Sequence, residues 1–65
     1  MTITALEKFQ CAEREVKQRK HVYGRLVENG KMTETFAQRQ TAIMEAIAAD
    51  YRILADAEDS AGRLL

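Results

Sequence analysis

The chain offers few of the residues that chemistry recruits. Cys11 is its one cysteine and His21 its one histidine. A lone cysteine closes no disulfide within a chain, and one cysteine with one histidine falls short of a zinc ligand set. On a helix, His21 has Lys17 and Arg25 at i−4 and i+4, where a metal site needs further ligands. Cys11 has Lys8 and Glu15 within a turn and no histidine beside it, so no activated nucleophile is in view. The acids Glu45, Asp50, Asp56, Glu58 and Asp59 take solvent-side or flanking positions, with no pair set up for acid–base work. A two-helix hairpin, argued below, also lacks a deep pocket of its own. We therefore expect no enzyme, no cofactor and no metal.

The one concentrated signal is basic. The stretch "KQRKHVYGR", Lys17 to Arg25, carries four fixed positive charges and a histidine with no acid among them. At about 100° per residue it separates into groups. Arg14, Lys17, His21 and Arg25 form a ridge opposite the apolar stripe, Arg19 and Lys20 border that stripe on either side, and Tyr23 turns into it. Such a ridge suits phosphate contacts. The competing reading is a solvated helix back, with Glu13 beside Lys17 and Glu28 beside Arg25 as pairs along the helix. We favour the solvated back. The whole chain is not basic, as nucleic-acid binders usually are, and nothing resembles a helix-turn-helix.

The elements that position these groups follow from composition and spacing. Sixty-five residues make one small domain, whose core rarely supplies more than about 3–5 kcal/mol without a staple or a partner. With no disulfide and no metal, oligomerisation is the remaining source of stability. The charges sum to zero but divide unevenly, +3 through Lys31 and −3 beyond it, so two halves or two copies attract. There is no proline. The start, "MTITALEKFQ", does not read as a signal peptide, and no run approaches the roughly 18 apolar residues of a membrane span. The expected setting is the cytoplasm.

Periodicity predicts two helices. Helix 1 is expected over about 4–28, with Leu6, Phe9, Ala12, Val16, Tyr23 and Val27 as its apolar stripe and Leu26 beside it. The turn is "ENGKMT", centred on 29–32. Asn29-Gly30 suits a helix C-terminus, Thr33 an N-cap, and Glu34 the positive end of the next helix dipole. Helix 2 is expected over about 34–57, with a loose tail at 60–65. Its heptad seam reads Ala37, Gln40, Met44, Ile47, Tyr51 and Leu54, widened by Phe36 and Ile43 on one side and by Ala48 and Ala55 on the other. Similar lengths and a short link make the helices antiparallel neighbours. That register brings Tyr23 to Ala37 and Gln40, Val16 to Met44 and Ile47, and Phe9 to Tyr51 and Leu54. Arg19 or Lys20 then faces Glu45 or Asp50. On a separate face of helix 2, Ala42, Ala46, Ala49 and Ile53 form a candidate self-association surface. The predicted fold is all-α: an antiparallel two-helix hairpin, coiled-coil-like, assembling as a dimeric four-helix bundle.

The stretches "AERE", "RKHVYGRLVENGKMT" and "MEAIAADY", within Cys11 to Arg52, resemble a family of small uncharacterised bacteriophage and prophage proteins. The resemblance implies a phage or prophage origin and a bacterial host, and brings no activity or site residues. Family members often have proline at the position of Gly24, which implies a flexible point before the last turn of helix 1. The function expected is a protein–protein interaction module that self-associates and docks a phage or host protein. The alternative is a small nucleic-acid-binding accessory protein using Arg14, Lys17, His21 and Arg25.

Overall fold

A computed structural model describes residues 2–63. Two α-helices, α1 (Ala5–Glu28) and α2 (Glu34–Arg63), pack against each other as a hairpin. Thr4 starts α1: its Oγ1 accepts the Glu7 N–H at 3.1 Å, as an N-cap does. At the other end the Lys31 N–H donates to the Leu26 carbonyl at 2.8 Å and the Gly30 N–H to that of Val27 at 3.1 Å. This paired closure is a Schellman motif. It requires a left-handed residue after the cap, and Gly30 supplies it with φ at 72°. Thr33 then caps α2, its Oγ1 accepting the Phe36 N–H at 3.2 Å.

The second helix is longer than expected. It runs through 60–63, where a loose tail was expected, and residues 64 and 65 lie outside those described. The sequence beyond 57 contains no proline to stop it, and a tertiary contact holds its last turns. The Ala5 N–H donates to Glu58 Oε2 at 3.2 Å, so α2 places a carboxylate on the positive end of α1. The helix α1 passes unbroken through Gly24.

The buried seam keeps the expected stripe of α1, with Ala5 in place of Leu6 and Arg19 in the gap, and is rotated from the expected one on α2. The fully buried residues are Ala5, Ala12, Ala37, Ala48 and Ala55, each between 5 and 8% exposed, and among the described residues no large side chain is fully buried. On α1 the seam runs Ala5, Phe9, Ala12, Val16, Arg19, Tyr23 and Leu26, with Val27 half-buried beside it. On α2 it runs Ala37, Thr41, Met44, Ala48, Tyr51 and Ala55. Leu6, Ile47 and Leu54, expected inside, are exposed. Phe9 and Val16 line one groove together with Ala48, and Tyr23 lines another with Ala37 and Thr41. The physical reason is the thickness of the contact. The distance between helix axes depends on the side chains at the crossing, and methyl groups let backbones approach where leucines hold them apart. Large residues on one helix then interlock with small ones on the other.

The product is a rod of 53 × 21 × 15 Å with a radius of gyration of 15.2 Å. A globular domain of this length has a radius of about 11 Å. Neither helix is enclosed, and each keeps a back and two flanks in solvent.

Candidate interaction surfaces

One flank is polar. Lys20 Nζ lies 3.5 Å from Glu45 Oε1, one of the pairings expected between the two helices. Around it run two open grooves of about 390 and 320 Å³. Tyr23, Val27, Ala37 and Thr41 floor the first, and Phe9, Val16 and Ala48 the second. Both grooves are shallow troughs along the helix contact, edged by charged side chains.

The opposite flank is apolar. Phe36 (53% exposed), Ile43 (40%), Ile47 (38%) and Leu54 (52%) fall within about 40° of one another on α2, a quarter-turn from the seam. Val22 of α1 is exposed on the same side. Half-buried Gln40 and Tyr51 lie between this strip and the seam. Arg19 takes part in this flank in a way that spacing alone did not indicate. Its Nε donates to Glu15 Oε1 at 3.0 Å and its Nη1 to the Gln40 carbonyl at 3.1 Å. It therefore works as a bridge across the seam rather than a charge bordering it. Lys8 Nζ sits 5.5 Å from the centre of the Tyr51 ring, within cation–π range. The strip is present in the sequence as its members' 7, 4, 7 spacing, but all four were expected at the seam, Ile47 and Leu54 within it and Phe36 and Ile43 widening it.

The back of α1 carries the basic ridge. Arg14, Lys17, His21 and Arg25 are all exposed and together span about 17 Å of helix. Among the described residues the expected pairs Glu13–Lys17 and Glu28–Arg25 do not close to ion-pair distance, whereas Glu15–Arg19 and Lys20–Glu45 do. Facing the other way, on the back of α2, Ala42, Ala46, Ala49 and Ile53 are likewise exposed, so the hairpin's own seam uses none of them. Cys11 is a free, exposed thiol, and no group of three His, Cys, Asp or Glu residues is placed to hold a metal among the described residues. Among the described residues no helix is long and apolar enough to cross a membrane.

Set against protein-family models, curated proteins and solved structures, the chain matches none. The surfaces themselves carry the functional argument.

Proposed function

We propose that the hairpin is a non-enzymatic interaction module that self-associates, its working form being a dimeric four-helix bundle. A phage or prophage origin, with action in the cytoplasm of a bacterial host on a phage or host protein, completes the reading. The observation that carries it is the division of apolar side chains: the buried ones are alanines, and Phe36, Ile43, Ile47 and Leu54 remain in water. Exposed apolar surface that gathers on one side of a small protein marks a binding face. A two-helix core of methyl groups is also too thin for a domain without disulfide or metal, so a partner supplies the missing burial. Sedimentation equilibrium at micromolar concentration tests this. Two 7.4 kDa chains should sediment together, and a monomer at every concentration overturns the reading.

A second reading rests on the ridge. Four basic side chains in a row, with neither expected acid closing on them, suit a phosphate backbone. Fluorescence anisotropy with duplex and single-stranded DNA at two salt concentrations tests it. Binding that falls steeply with salt and vanishes in Arg14→Ala/Lys17→Ala/Arg25→Ala would place the nucleic-acid role first.

A further inference from the structure

Building on the self-association just proposed, we infer which surface receives the second copy and in which orientation: the Phe36–Leu54 flank of α2 meets the same flank of another chain, antiparallel, about a two-fold axis level with Glu45. The pattern is a palindrome. Phe36 and Leu54 lie nine positions either side of 45, and Ile43 and Ile47 lie two either side. Turning one α2 end for end sets Phe36 against Leu54 of the second copy and Ile43 against its Ile47, twice over. A two-fold interface requires this self-complementarity. The polar members of the strip obey the same rule. Arg39 and Asp50 share the outer edge of the strip, six and five positions either side of the centre, so Arg39 of one copy comes beside Asp50 of the other.

Charge selects this orientation over the alternative. In the antiparallel pairing outer edge meets outer edge, and Arg39 and Asp50 form unlike contacts twice over. In a parallel two-fold pairing the outer edge of one α2 faces the seam edge of the other, and both contacts are lost. Arg39 and Asp50 are exposed and, among the described residues, engage in no ion pair. The strip is about 27 Å long at 1.5 Å per residue. The same axis lays α1 over α1 of the second copy, also antiparallel, so every neighbouring pair in the resulting four-helix bundle runs antiparallel.

Sedimentation equilibrium on the full chain and its variants, under reducing conditions to keep Cys11 a thiol, tests the inference. Ile47→Glu should convert the dimer to monomer across the micromolar range. Arg39→Asp should weaken the dimer roughly tenfold through two symmetric repulsions, and Arg39→Asp/Asp50→Arg should return it to within about threefold of the starting affinity. The charge variants alter only exposed edge positions, so they remain informative if Ile47→Glu fails to fold. A dimer unaffected by Ile47→Glu overturns the inference and leaves self-association standing; loss in Ala46→Glu would then move the interface to the back of α2. A monomer after Ile47→Glu with both charge variants inert overturns the antiparallel register. An unmodified chain that is monomeric throughout overturns both the inference and the reading beneath it.

Discussion

Four pairs of chain neighbours, Ala5-Leu6, Phe36-Ala37, Ile47-Ala48 and Leu54-Ala55, place a small residue beside a large one. In each pair the alanine is buried in the seam and its larger neighbour stands in solvent. Hydrophobicity alone ranks them the other way, since burying a leucine side chain is worth about 1.5–3 kcal/mol and an alanine methyl much less. The contrast teaches that the hairpin is organised around backbone proximity. Two helices in contact along alanines gain dispersion contacts between their backbones and the stems of flanking side chains. They leave the large apolar groups on the outer flank of α2.

The sharpest way to break that contrast is to enlarge a seam alanine. Ala48→Leu adds volume where the helices touch, and overpacking of this kind costs about 1–3 kcal/mol. Ala46→Leu, on the exposed back of the same helix, should change stability by less than about 0.5 kcal/mol. Thermal unfolding followed by circular dichroism compares the two directly. Equal effects would mean that close approach does not set the seam.

Next in size is the turn that joins the two helices. Gly30 holds φ at 72°, and a Cβ there is strained whatever the space around it, although none of that space is occupied. Gly30→Ala should cost about 1–2 kcal/mol. The helix content of the folded state should be preserved, because the lesion lies outside both helices. Gly24 gives the opposite sign. It lies within α1 with negative φ, and a Cβ at that position meets nothing within 4 Å. Gly24→Ala should therefore stabilise by up to about 1 kcal/mol and raise the melting temperature. A loss would show that looseness before the last turn of α1 is needed for packing.

Much of this molecule is written locally in its residues. The two helices, Gly30 at the C-terminal closure, Thr33 as the second cap and Lys20 facing Glu45 all follow from short-range rules and the antiparallel register. The rotation of the seam does not. The heptad through Ile47 and Leu54 and the one through Ala48 and Ala55 lie side by side on α2, and choosing between them depends on how near the other helix comes. Glu58 escaped notice for a related reason. Its role at the N-terminus of α1 joins residues 53 positions apart, and nothing near it in sequence marks it as a cap. Arg19 looked like a charge in water because its acceptor is the Gln40 backbone carbonyl, a group every residue has. The apolar strip went unseen as a strip because all four of its members were read as part of the seam, Phe36 and Ile43 as its widening.

The smallest effect separates the two flanks. Lys20 and Glu45 meet at 3.5 Å on the polar side, with side chains 62% and 52% exposed. An ion pair so open to solvent contributes about 0–1 kcal/mol and is screened by salt. A double-mutant cycle of Lys20→Ala and Glu45→Ala should give a coupling energy below about 0.5 kcal/mol that fades as salt is raised. The same substitutions should leave the sedimentation behaviour unchanged, because the pair lies across the hairpin from Phe36, Ile43, Ile47 and Leu54. If removing this pair dissociated the dimer as strongly as Ile47→Glu, the polar flank would be part of the interface. The division of labour between flanks would then fail, even with the alanine seam intact.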